Sequence, residues 1–101
     1  MGAWVGCRRV VWGEGGVVYA WEDGDGGSGH VLVDPEGEVV RPCTARGSAV
    51  GAMALRRRAG CVEQPDPRPE ARRAFLLVAS VIFQEWRRRG RPPETVTRTY
   101  W

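Results

Sequence analysis

Residues 30–39 have the sequence HVLVDPEGEV, two valine-rich runs joined by a strong turn signal. Asp34 suits the first position of a type I turn because its side chain can accept hydrogen bonds from the following backbone. Pro35 presets φ for the next position, and Gly37 suits a left-handed position that closes the connection. The stretch therefore predicts an antiparallel β-hairpin.

Similar runs occur on the N-terminal side of this hairpin, which extends the same pattern over residues 1–43. Glycine-containing turns such as GEGG (13–16) separate the runs, and Trp4 and Val5 can lengthen the first of them. The spacing predicts an antiparallel meander of about four strands. The predicted strands are RVVW (9–12), VVYAW (17–21), HVLV (30–33) and EVVR (38–41).

Residues 44–61 have a different pattern, which favours a short helix. Ser48 is a suitable N-cap, and Gly60 is a suitable residue just past the end of a helix that reaches about Ala59. Four small or apolar residues follow at helical spacing, and three arginines occupy the last turn, where they suit the helix dipole. The four residues are Ala49, Val50, Met53 and Ala54.

A proline-rich connector, residues 62–69, precedes the strongest helical signal in the chain. Pro69 suits the first helical position, and Gly90 suits the C-terminal end. Between them, FLLVASVIF (75–83) is apolar almost all round, which indicates burial on several sides. Residues 70–90 are therefore predicted to form a long, buried helix.

The C-terminal tail, residues 91–101, has two interpretations. Its β-branched alternation suits a final strand with Val96, Arg98 and Tyr100 on one side, and a disordered end is the alternative. The chain as a whole, residues 1–101, is predicted to be a single α+β domain. Two helices pack on one face of an antiparallel meander, to which the tail can add a fifth strand.

Composition limits the functional classes. All fifteen basic residues are arginine, and lysine and asparagine are absent, which indicates a GC-rich, bacterial genome rather than selection for nucleic-acid binding. The net charge of +3 is small, but residues 10–40 hold seven acids and no arginine. Residues 41–101 hold thirteen arginines and five acids. The two halves can attract each other, or the basic half can meet an acidic partner.

The sequence contains neither a long apolar run nor a recognisable secretory signal. We therefore expect a cytoplasmic protein without membrane contact.

Asp23, Asp25 and Asp34 have the spacing of positions 1, 3 and 12 of a calcium loop. Position 5 is Gly27, position 6 is Ser28 where glycine is needed, and the flanking residues resemble strands. We interpret WEDGDGGSG as a strand connection instead.

His30, Cys7, Cys43 and Cys61 lack the close pairing typical of structural zinc sites. A Cys–His nucleophilic site would need one cysteine near His30, which the sequence cannot establish. Phosphate-loop, dinucleotide and serine-elbow motifs are also missing. The sequence therefore predicts no enzyme activity, no cofactor and no metal.

The remaining prediction is a small protein–protein interaction or accessory domain, either immunity-like or self-associating as a homo-oligomer. Planar arginines and rigid aromatic residues are common at binding hot spots. The candidate contact residues are Trp86, Arg87, Arg88, Arg89, Arg91, Tyr100 and Trp101. The alternative is a nucleic-acid-binding protein that uses the arginine clusters 56–58, 72–73 and 87–91.

Overall fold

One antiparallel sheet forms the framework of the computed structural model, which describes residues 3–13, 16–59 and 61–100. Across the sheet the strand order is β5-β4-β3-β2-β1-β6, and a single helix, α1 (Pro69–Arg89), packs on one face of the described structure. The strands are β1 (Ala3–Gly13), β2 (Gly16–Asp23), β3 (Ser28–Asp34), β4 (Val39–Cys43), β5 (Leu55–Arg56) and β6 (Thr95–Tyr100).

This arrangement is an α+β fold with a meander over β1 to β4, in agreement with the predicted class. The predicted numbers are wrong, because the described residues form six strands rather than about four and one helix rather than two.

The β3–β4 hairpin lies where the sequence predicts it. Oδ1 of Asp34 accepts hydrogen bonds from the backbone N–H groups of Glu36 and Gly37, both at 3.0 Å. A Cβ on Gly37 would lie 2.6 Å from the Asp34 carboxylate, so a larger residue there would force the Asp34 side chain to shift. The left-handed residue is Glu38, with φ of 53°, rather than the expected Gly37.

Strand β1 is longer than predicted because it begins at Ala3 and pairs on both sides. It pairs with β2 along almost its whole length, with a register shift between Arg9 and Val11. Gly13 pairs with Gly16 at the end of the hairpin, and residues 14 and 15 of the predicted GEGG turn lie outside the described residues.

The C-terminal tail forms β6, an outer strand antiparallel to β1. Val96 is buried on the side of α1, whereas Thr95 and Thr97 are exposed, which agrees with the predicted alternation. Trp101 lies outside the described residues.

The predicted helix within residues 44–61 is wrong. Gly51, inside the predicted helix, has φ of 69°, a value outside the right-handed helical region, and Gly47 before it has φ of 89°. Ala49 instead forms a bridge with Cys43, and the chain then reaches β5. Helical spacing of small residues did not overcome the left-handed Gly51 and the backbone hydrogen bond from Val50 to Pro42 of β4.

Helix α1 begins and ends one residue before the predicted range of 70–90. Pro69 occupies the first turn, and Gly90 is left-handed with φ of 76° and donates its N–H to the carbonyl of Trp86. The helix contributes one large apolar face to the core. Its buried residues include Phe75, Val78, Ala79, Val81, Ile82, Phe83 and Trp86.

The main core lies between α1 and the sheet. Tyr19 is fully buried there, and its hydroxyl donates a hydrogen bond to the carbonyl of Pro93 in the α1–β6 connection. A smaller cluster of Val18, Leu32 and Cys43 lies on the other face of the sheet. The Tyr19 contact therefore holds the C-terminal end of the helix against the centre of the sheet.

Candidate functional site

A cleft of about 800 Å³ separates the first turns of α1 from the end of the sheet. The β2–β3 turn lies on one side of the cleft, and the connector that leads into α1 lies on another. Among the strands, β1 and β6 lie closest to the helix.

The cleft has an apolar interior. On the sheet side the half-buried ring of Trp21 covers Gly29, where a Cβ would lie 3.0 Å from the indole nitrogen. On the helix side, Ala71 and Ala74 are small and partly exposed, so they leave space beside buried Phe75. A large aromatic wall facing small side chains can accept an apolar group.

Met53 joins the connector to the interior of the cleft. Its Sδ lies 3.4 Å from the backbone nitrogen of Asp66, which donates to it, and its side chain belongs to the core. Arg72 Nη1 donates to the carbonyl of Asp66 at 3.2 Å. These contacts fix the connector against the first turns of α1.

The rim carries more acidic than basic side chains. Acids are contributed by Asp23, Asp25, Asp66 and Glu70, and bases by Arg68 and Arg73. Asp66 and Arg68 pair with each other at 3.0 Å, and this hydrogen-bonded guanidinium lowers the pKa of Asp66 to about 2. The remaining excess of negative charge favours a basic ligand.

The three aspartates with calcium-loop spacing do not converge. Oδ1 of Asp23 accepts the backbone N–H groups of Asp25 and Gly27, at 2.9 and 2.8 Å, and so orders the β2–β3 turn. Asp34 lies at the other end of β3 and orders the next turn. Among the described residues no group of three potential metal ligands is present.

The structure brings His30 and Cys43 together as register partners on β3 and β4. Burial raises the pKa of the Cys43 thiol to about 11, which favours the protonated form rather than a nucleophilic thiolate. Cys7 lies in the core beside α1, where burial raises its pKa to about 12, and Cys61 is exposed. The four residues considered for zinc are therefore divided among three environments.

Trp86, a candidate contact residue, is only 5% exposed and belongs to the core. Its ring stacks on Phe83 with centroids 5.8 Å apart, and the Arg57 guanidinium carbon lies 4.7 Å from the centroid of the Trp86 ring. Arg57 also pairs with Glu38 at 3.5 Å, which links the arginine-rich half to the acidic half. Trp86 therefore supports the core and offers little surface to a partner.

The arginines at the end of α1 surround Glu85, whose side chain is 7% exposed. Arg88 donates to both carboxylate oxygens, and Arg89 Nε donates to Oε1 at 2.7 Å. These guanidinium hydrogen bonds lower the pKa of Glu85 to about 2. A shallow polar depression beside β6 is lined by Glu85, Arg88 and Arg89 of the helix and by Thr95, Val96 and Thr97 of the strand.

Two of the candidate arginines have no acidic partner among the described residues. Arg87 and Arg91 are exposed at the end of α1 and in the turn that follows it. Tyr100 is the last residue of β6, but its side chain lies outside the described part of the chain.

Sequence reasoning missed the cleft because the cleft is assembled from distant segments. Two local signals mark parts of its border: the acidic glycine-rich turn after Trp21, and the proline-rich connector before α1. Nothing in either signal shows that the two segments face each other.

A search against protein-family models, curated proteins and solved structures found no match. None of the described helices has both the length and the apolar character needed to cross a membrane.

Proposed function

We propose that this protein is a small, non-enzymatic domain that binds another protein by holding a peptide segment of it in the cleft beside α1. The single observation that carries this proposal is the combination of an apolar interior and an acidic rim in one concave site. The three free cysteines suit a reducing compartment, so we place this activity in the cytoplasm.

The chemistry of the cleft favours an extended segment with an apolar residue beside an arginine or lysine. Trp4, Trp21 and Leu77 line the cleft without being fully buried, and they offer apolar surface to the first side chain. Asp25 and Glu70 are exposed on the rim and can attract the second. Such charge complementarity sets orientation and association rate, while apolar burial supplies most of the affinity.

The test begins with peptides selected from a random displayed library on the full chain, followed by fluorescence anisotropy with the labelled peptides. We expect the selected peptides to pair an apolar residue with a basic one. Ala71→Trp should fill the cleft and weaken binding at least about tenfold, because the apolar side chain is excluded. Asp25→Lys should weaken binding several-fold, and more so at low salt.

Glu36→Lys is the matched control, since Glu36 is an exposed acid on the β3–β4 turn at the other end of β3. It makes the same charge change as Asp25→Lys and should leave affinity unchanged. Equal weakening by both variants, or full binding to a folded Ala71→Trp protein, would contradict the assignment to the cleft.

Nucleic acid is the alternative partner, favoured by the exposed Arg87 and Arg91 near the end of α1. Four arginines of the three clusters, Arg56, Arg57, Arg88 and Arg89, are paired with acids, which reduces their attraction for phosphate. A gel shift with DNA or RNA that weakens with salt and is lost in Arg87→Glu would support this alternative. A missing shift at low salt would exclude it.

A further inference from the structure

The two edge strands of the sheet, β5 and β6, differ in how much other chain segments cover them. On the outer side of β5, Ala54 and Glu63 exchange two backbone hydrogen bonds, and Arg56 pairs with Glu63 at 3.0 Å. By contrast, β6 is six residues long and pairs only with β1 among the described residues. The outer edge of β6 therefore presents a row of backbone groups that no other described strand pairs with.

Strand β6 lacks most of the features that normally protect an edge. Its register with β1 is continuous from Thr95 to Tyr100, without a bulge. Pro92 and Pro93 precede the strand rather than interrupting it. Threonine recurs at positions 95, 97 and 99, and this β-branched residue suits strand pairing.

The sequence of β6 allows it to pair with a second copy of itself without opposing two like charges. In an antiparallel pair of identical strands, a two-fold axis perpendicular to the sheet brings residues of the same face opposite each other. Centring the axis on Thr97 places Thr97 opposite its own copy and Thr95 opposite Thr99 of the second copy. Centring it on Arg98 would oppose two like charges, which is unfavourable.

We propose that two copies of this chain associate through antiparallel pairing of their β6 strands about Thr97, which joins the two sheets into one continuous sheet. Both α1 helices then lie on the same side of it. The depression formed by Glu85, Arg88 and Arg89 borders β6, so excess positive charge from both copies gathers beside the seam. Added salt screens this repulsion, and the dimer strengthens as ionic strength rises.

Sedimentation velocity across a dilution series at low and high salt tests this interface on the full chain. We expect a monomer–dimer equilibrium that Thr97→Lys shifts at least about tenfold toward monomer, because two lysines would oppose each other at the axis. Ser48→Lys adds the same charge at an exposed position beyond β4 and should leave the equilibrium unchanged. A monomer at every concentration, or an unchanged dimer in Thr97→Lys, overturns the proposal.

Disulfide trapping tests the register independently of stability. In a Cys61→Ala background, Thr97→Cys should oxidise to a linked dimer, since paired Cα atoms about 4.5–5.5 Å apart suit a disulfide. Thr95→Cys faces Thr99 of the second copy and should remain monomeric on a denaturing gel. Efficient trapping of Thr95→Cys but not Thr97→Cys rejects the Thr97-centred register. Because Thr97 is not among the residues that line the cleft, failure here leaves peptide binding intact.

Discussion

The two ends of helix α1 differ in how closely they are packed. At the C-terminal end, Phe83 and Trp86 are buried, Glu85 is held by two arginines, and Tyr19 bonds to the connection beyond the helix. At the N-terminal end, small residues line a cleft. The difference indicates that one end of the helix fixes its position on the sheet, while the other end is available for binding.

The largest expected effect comes from removing the anchor at the packed end. Trp86→Ala should lower the free energy of unfolding by about 3–5 kcal/mol, since it deletes a buried aromatic ring and leaves a cavity. Urea unfolding followed by circular dichroism measures the change. Leu76→Ala is the control on the same helix, because Leu76 is 36% exposed and its loss should cost about 1 kcal/mol or less. Equal losses would remove the distinction between the packed and exposed faces.

A smaller loss in the free energy of unfolding is expected when the buried hydroxyl of Tyr19 is removed. Tyr19→Phe should cost about 1–3 kcal/mol, because the Pro93 carbonyl loses its buried donor. The same urea experiment measures it, and an unchanged m-value would show that the fold is kept. If the Tyr19→Phe protein were as stable as the wild type, the hydrogen bond to Pro93 would not hold the packed end.

Burial raises the pKa of Tyr19 to about 12, so its contribution is present below the ordinary pKa near 10 and is lost as pH rises toward 12. The Tyr19→Phe protein should therefore lose less stability than the wild type over this alkaline interval. An identical alkaline loss in both proteins would assign it to other groups, such as Cys7.

The smallest expected effect is on how stability depends on pH, and it compares one carboxylate at each end of α1. The pKa of Glu85 is lowered, so its contribution is present above about 4.5 and is lost as pH falls toward 2. Glu85→Gln should flatten the loss of stability in this acidic interval. Asp66→Asn at the cleft is the matched variant. It should flatten the acidic loss of stability less than Glu85→Gln does, because the Asp66 side chain is 23% exposed against 7% for Glu85. Urea midpoints between pH 2 and pH 5 provide the comparison, and a larger effect of Asp66→Asn would contradict it.

The sequence predicts some elements well because their signals are local. Pro69 and Gly90 mark both ends of α1, and Asp34 orders the β3–β4 turn through bonds to residues two and three positions away. Residues 44–61 are the counterexample. Their apolar spacing predicts a helix, but Ala49 and Ala54 pair with Cys43 and Glu63, and no property of the segment itself indicates those partners.

The candidate site also combines features with local sequence signals and features that depend on distant segments. Exposed arginines near residue 87 could be predicted, whereas the burial of Trp86 and the pairing of Glu85 with two arginines needed the packed helix. The cleft was not predictable, because its walls come from segments that are distant in the chain.

By itself, the sequence determined the α+β class, the long helix and the hairpin turn, because backbone sterics and short-range hydrogen bonds act within a few residues. Only the tertiary structure decided which edge of the sheet is open and where α1 leaves a cleft. Those features depend on contacts between distant segments, whose geometry is set by the packing of the whole core.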